Sequence, residues 1–433
     1  MKNIINLLKN KKNLDEYRII SIHEHSTELF FIKEELQMNR AKDVDKINLT
    51  VYKNFEIDNN KFKGSSTVRI NPTDSLDEID QKINKAALAA SFVKNAYYPL
   101  PQKSEKIAPE IKSKFSESDV VELLSEIVNE AYGQNNQFGA FVNSCEFFIT
   151  TRENRIINSS GIDVTYNSYN GLIEIITEAK GDTEEIELFD MIHFSDFDRE
   201  FIKTSIRDQL KYASLRAKAI KTPKLDNIPV IINGKAINEF WDYYINQASA
   251  DSKYNHLHEN SVGDNIQGDE IIGDKVTIKA TPQIPNSIDN TYYDADGFLL
   301  EEKTIIENGI LKNMLANTRY AHYFNLKPTG NLRNLIVSGG NQTENDLRET
   351  PYLEVISFSA FQMDPMTGFF GGEFRLAIYH DGNKEIPLTQ GAVSTNIKEA
   401  QKEMYFSKET VQSRNVITPK IVKFNKMTIV GGN

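Results

Sequence analysis

The sequence predicts an α+β protein in two parts: an N-terminal sheet-and-helix domain over residues 1–222, and a β-rich C-terminal domain with a curved sheet or barrel over 223–433. Three observations carry that prediction. Apolar and polar residues alternate through several segments of 17–70, the two-residue period of sheets with one wet face, and 138–195 is a second strand-rich block. Residues 74–93, 119–132 and 197–220 instead repeat their apolar positions at helical spacing. Beyond Pro229, strand patterns are punctuated by Gly339-Gly340, Gly368, Gly371-Gly372 and Gly391, which suits a sharply bent sheet.

Taken in order, residues 3–11 form a short amphipathic helix with Ile4, Leu7 and Leu8 on one side. Strands are expected at 17–22, 27–32, 47–55 and 62–70, with a turn or sheet edge at 61–66. Asp74-Ser75 caps a helix whose apolar side holds Leu76, Ile79, Ile83, Ala86, Ala87, Ala90 and Val93. A proline-punctuated connector follows at 99–109, then a helix through Val120, Leu123, Leu124 and Ile127. The strand block 138–195 reads as broken at Glu153-Asn154 and at Tyr169-Asn170-Gly171. After the helix at 197–220, Thr222-Pro223 and 227–229 mark the domain boundary. Val230-Ile231-Ile232 is a buried strand, 234–250 a helix, and the remainder to Gly432 strand and turn.

Composition excludes several classes of function. The 433 residues carry a net charge of −11, which argues against nucleic acid as the main partner because phosphate binding needs a basic surface. A single cysteine, Cys145, allows neither an internal disulfide nor a cysteine-rich metal site. The N-terminal apolar run is too short for a signal peptide, and no apolar stretch reaches membrane-spanning length, so a cytoplasmic protein is expected. There is no G-x-S-x-G elbow, phosphate-binding loop or G-x-G-x-x-G, so serine-hydrolase, P-loop and Rossmann chemistry have no motif here.

Residues 289–333 read DNTYYDADGFLLEEKTIIENGILKNMLANTRYAHYFNLKPTGNLR. Asp294–Gly297 forms a turn, Asn308-Gly309 supplies the positive φ of a tight hairpin, and Pro328-Thr329-Gly330 turns the chain again. The order of the acidic turn, Ile306-Glu307-Asn308-Gly309-Ile310-Leu311-Lys312, Ala321 and Pro328-Thr329-Gly330-Asn331 resembles the TldD/PmbA family, the peptide-maturation metalloproteases also called modulators of DNA gyrase. The resemblance is strongest from 289 to 382. It implies paired subunits around an enclosed cavity, where only short or unfolded peptides would enter.

In the TldD branch of that family the helix after the buried strand carries HExxxH, two histidines that bind zinc and a glutamate that acts as base. Here the matching positions fall on about Trp241 and Asn246 for the histidines and Asp242 for the glutamate. The family's late-strand cysteine follows a segment that resembles residues 361–369, and Glu373 or a neighbour stands in its place. Tryptophan cannot ligate a metal, and a lone asparagine is a poor zinc ligand. The resemblance therefore implies the TldE/PmbA branch, with no cofactor in this chain and zinc in a TldD-like partner.

Other possible sites compete with plainer readings. His256, His258 and Glu259 form an alternative metal group, but the second histidine of the motif would fall at Gly263, and the surroundings read as a solvated loop. His23 and His25 share a strand face without a third ligand. Counting Asp294–Gly297 as a calcium loop puts Tyr292 and Lys303 where carboxylates are required. Cys145 with His193 as a nucleophile pair competes with the commoner buried, inert thiol.

The expected function is a TldE/PmbA-like subunit of a cytoplasmic peptide-processing assembly, which binds extended peptide and pairs with a TldD-like chain or with itself. The alternatives are a homodimeric peptide-binding module and a peptidase with a divergent metal site.

Overall fold

A computed structural model describes residues 1–181 and 185–431. Gly432, the end point of the expected strand-and-turn region, lies outside the described residues. The chain is mixed α and β, as expected, with one sheet strongly curled into a half-barrel.

The first sheet has seven strands in the order β4-β3-β2-β1-β5-β6-β7. These are β1 (Glu16–Ile32), β2 (Glu35–Ile57), β3 (Asn60–Ile70), β4 (Asn95–Ala96), β5 (Ala140–Asn158), β6 (Asp163–Lys180) and β7 (Glu185–Phe194). All neighbours are antiparallel. Helices α1 (Lys2–Lys9) and α2 (Leu76–Ala90) pack over β1–β3 around Ile19, Leu49, Val51 and Ile83. Helices α3 (Lys114–Glu117), α4 (Val120–Tyr132) and α5 (Arg199–Ala217) pack over β5–β7 around Phe147, Ile149, Ile173 and Ile206. Ile157, in the α2 core, and Ile149, under α4 and α5, differ by an even number of positions along β5, so both helix groups cover one face. Ser75 caps α2 in a reciprocal capping box with Glu78, which explains its sharp start.

The strands are longer than the sequence predicts. β1 runs unbroken through His23–Ser26, and β5 and β6 run through the expected breaks at Glu153-Asn154 and at Tyr169-Asn170-Gly171. These positions lie on one belt across the sheet: Glu24 faces Arg152, Ser26 faces Thr150, and Thr150 faces Asn170. Arg152 donates to Glu24 at 2.7 Å, Lys46 at 3.1 Å, and Asn154 donates to Ser168 at 2.9 Å. Polar residues that look like turns locally are satisfied sideways. Residues 61–66 likewise lie within β3, and the turn sits one step earlier at Asp58 and Asn59, both at positive φ.

Residues after α5 build two further sheets. β8 (Ile220–Lys221), β9 (Val230–Asn233), β14 (Tyr352–Met363), β15 (Phe369–His380), β16 (Glu385–Thr389), β17 (Gly391–Asn396), β18 (Met404–Phe406), β21 (Ile421–Phe424) and β22 (Thr428–Val430) form a nine-stranded sheet. β10 (Ile278–Thr281), β11 (Lys303–Glu307), β12 (Ile310–Leu311), β13 (Asn334–Val337), β19 (Thr410–Ser413) and β20 (Val416–Pro419) form a six-stranded one. One core fills the space between them. The hairpin β11–β12 turns at Asn308 (φ 50) and Gly309 (φ 81), the two left-handed residues of a type I′ turn.

The expected helix over 234–250 is broken. It becomes a 3-10 turn at Asn238–Trp241, α6 (Asp242–Gln247) and α7 (Ala250–Tyr254). Leu315 causes the break, because its N–H donates to Ala248 O at 2.8 Å and its carbonyl accepts from Ala250 N at 3.0 Å. Those groups would otherwise continue a helix. The expected helix at 197–220 ends at Ala217, and Ile220–Lys221 pairs instead with β16.

Candidate functional site

Two places merit attention: the segment after β9, where a metal helix is expected by resemblance, and a slot between the first sheet and the nine-stranded one.

In the segment after β9, Trp241 is wholly buried and its Nε1–H donates to Thr418 Oγ1 at 2.8 Å. Phe240 centres an aromatic cluster, with ring centroids 5.1 Å from Trp241, 5.0 Å from Phe370 and 5.7 Å from Phe424. Phe406 lies 5.6 Å from Trp241 on its other side. Tyr244 donates to Gln401 Oε1 at 3.1 Å, which satisfies its buried hydroxyl. The inward face of this segment is solid core.

Asp242 is on the outside, and confinement of its base, followed by the charge of Glu239, pushes its carboxyl up to about 6. Asn246 donates to Asp242 O at 2.8 Å and accepts from Ser252 Oγ at 3.3 Å, so its amide is used locally. Glu373 is exposed on β15 between Ala360 and Ala392. Among the described residues no three His, Cys, Asp or Glu side chains gather in a way that would hold a metal ion.

The 256–259 loop does not converge either. His258 Nε2 lies 2.9 Å from Ser249 O and its Nδ1 accepts from Asn260 N–H at 3.1 Å, so both ring nitrogens serve the backbone. His256 and Glu259 face solvent, 3.8 Å apart. His23 lies 3.0 Å from Asp45, and His25 reaches Asp43 at 4.0 Å, on an exposed strand surface. Cys145 is buried, which pushes its thiol well above the usual range. It faces Ile175 in the helix-covered core, whereas His193 neighbours the core residue Ile192 and points to the other face. The pair does not meet. Asp294 accepts from the backbone N–H of Asp296 and Phe298 at 2.9 and 3.0 Å, the work of a buried turn.

The slot was not legible in the sequence, because it is formed by two unpaired strand edges. β7 is the last strand of its sheet. β14 is paired by β9 only at Leu353–Val355, so from Ile356 onward that edge has no strand among the described residues. Between them lies a cavity of about 490 Å³. Residues 188–193 form one wall and 356–361 the other, with α5 and residues 235–239 closing it. β14 is bulged three times between Val355 and Ala360, which re-aims its side chains there. Two free edges facing one cavity can accept an extended chain by backbone hydrogen bonding. Phe189, Phe358 and Phe361 give it apolar walls, and Arg375 and Arg414 bring positive charge.

Residues 226–431 match the model of the PmbA/TldA metallopeptidase C-terminal domain. An uncharacterized protein of Methanocaldococcus jannaschii is 25% identical over 284 residues, 62% of this chain and 65% of that one. A zinc metalloprotease TldD homolog of Saccharolobus solfataricus is 28% identical over 201 residues, 40% of this chain and 42% of that one. The matched stretch thus spans less than two thirds of either relative. The fold is similar to that of TldE from Thermococcus kodakarensis, with a TM-score of 0.80 at 17% identity over 99% of this chain and 100% of that one. It is also similar to a candidate modulator of a DNA gyrase from Thermotoga maritima, with a TM-score of 0.78 at 17% identity over 99% of each chain.

Proposed function

Since the chain belongs to the TldD/PmbA family through its C-terminal domain, we propose that it is the subunit of a peptide-processing metallopeptidase assembly that does not carry the zinc. In this reading it helps to build the chamber and holds an extended peptide in the slot between β7 and β14, while a TldD-like partner supplies metal and base. The observation that carries the reading is Trp241, a buried indole hydrogen-bonded to Thr418 and packed on Phe240, at about the position where the family resemblance would place a histidine. A zinc site there would require emptying a core, whereas the slot already holds a cavity of about 490 Å³ along two strand edges. The reading places the assembly in the cytoplasm, in line with the lone unpaired Cys145.

The test is co-expression with an HExxxH-bearing chain of the same family. The expected result is a stable complex that cleaves unfolded peptide in a chelator-sensitive way, with no cleavage by this chain alone. A symmetric dimer that binds peptide and leaves it intact would replace the assembly with a homodimeric binding module. Chelator-sensitive cleavage by the pure chain would overturn the reading and point to a divergent site.

A further inference from the structure

We propose that the slot between β7 and β14 selects extended peptides carrying an acidic side chain, read by Arg375; this rests on the peptide-holding reading above. The argument begins with charge. The molecule carries −11 overall, yet the guanidiniums of Arg375 and Arg414 both line this cavity, and among the described residues neither has a carboxylate within ion-pair distance. The third lining cation, Lys235, is already paired with Asp208 at 3.3 Å. Asp190 and Glu239 also line the cavity, but both are exposed and keep their water. Arg375 differs from them, being half-buried without a counter-ion. A partly desolvated guanidinium gains most from a carboxylate that meets its fork with two hydrogen bonds.

Position selects the source of that carboxylate. Phe374 pairs with Phe358 and Leu376 with Ser357, so Arg375 stands opposite the irregular step of β14. That is the middle of the wall formed by 356–361, rather than its end. A strand laid along the free edge of β14 would lie across β14 from β15, about 10 Å away, where the long Arg375 side chain in the cavity lining can reach an internal residue, and its terminus would lie further on. The ligand is therefore an Asp or Glu side chain within the peptide, with the exposed Arg414 of the lining adding a second positive charge. Flanking apolar residues would rest on Phe358 and Phe361, as alternation along a strand requires. Charge pairing of this kind adds specificity to backbone pairing, which by itself is blind to sequence.

The test uses the full-length chain, together with any partner that co-purifies, and ten-residue peptides acetylated and amidated at their ends. Three peptides of alternating Val and Thr carry Glu, Gln or Lys at one central position, and titration calorimetry gives their affinities. The expected result is binding of the Glu peptide about tenfold tighter than the Gln peptide, the scale of one charged hydrogen-bonded contact. Arg375→Gln should erase that preference while retaining the Gln-peptide affinity. Arg375→Glu should favour the Lys peptide, a reversal that misfolding cannot mimic. Amide exchange should slow on binding along 185–194 and 356–361. Equal affinities for all three peptides, or a Glu preference that survives in both variants, would overturn the charge inference and leave the peptide reading standing. Failure of every peptide to bind would remove both.

Discussion

Trp241 donates its indole N–H to Thr418, linking the turn that precedes α6 to a strand of the six-stranded sheet across the buried core. Trp241→Ala should destabilise the fold by about 3–5 kcal/mol, the range for removing a large aromatic from a packed core. Thr418→Val should cost about 1–3 kcal/mol by leaving a buried donor unpaired, and Thr418→Ser much less. Urea unfolding measures all three. A Trp241→Ala variant as stable as the parent would mean that this segment is not core.

The purified, untagged chain, after gentle dialysis, should contain no stoichiometric zinc by elemental mass spectrometry. Addition of zinc should leave its melting temperature unchanged, since a metal bound only by the native state would raise it. Bound zinc at one equivalent would require His258 to give up Ser249 and Asn260, and its pH dependence would identify the ligands.

Lys63 is fully buried on β3, where its ammonium pairs with Glu16 and lies 5.0 Å from the ring centres of both Tyr97 and Tyr98. Glu16→Gln should cost about 3–5 kcal/mol by leaving a buried charge unpaired, whereas Lys63→Met removes the charge with the volume kept and should cost markedly less. Chemical denaturation of the two variants and of the double variant gives the comparison. Equal losses for both single variants would show that the rings, rather than the ion pair, hold the ammonium.

Burial pushes the Asp294 carboxyl up to about 6 despite its backbone hydrogen bonds. The folded state therefore holds a proton that the unfolded chain has released, and between roughly pH 4 and 6 stability falls as pH rises, by about 3 kcal/mol in all. Below that window the contribution is fully present; above it, it is fully lost. Asp294→Asn cannot titrate, so the parent's melting temperature should drop relative to this variant between pH 4.5 and 7.5. A constant difference across that range would show that the group does not stay protonated on folding.

How far the sequence could be read differs by element. The start of α2 and the whole of α4 were legible almost to the residue, because Ser75 and Asp119 cap them through their own neighbours, whereas α2 stops at Ala90, short of the expected Val93. The β11–β12 hairpin was equally local, since Asn308-Gly309 alone supplies its turn. The long strands look like pairs of short ones where polar residues cluster, because Glu24, Arg152 and Asn154 find their partners on adjacent strands. The helix expected at 234–250 failed for a related reason: Leu315, far along the chain, takes the backbone groups of Ala248 and Ala250.

By itself the sequence determined the α+β class, the caps and turns, and the absence of histidines at positions 241 and 246, for these depend on residue identity and near neighbours. Only the tertiary structure decided that Trp241 fills core, that His258 is spent on backbone, and that β7 and β14 leave two free edges facing one cavity. A strand edge is free or paired according to which other strand reaches it, and that is a property of the assembled sheet that no stretch of sequence carries.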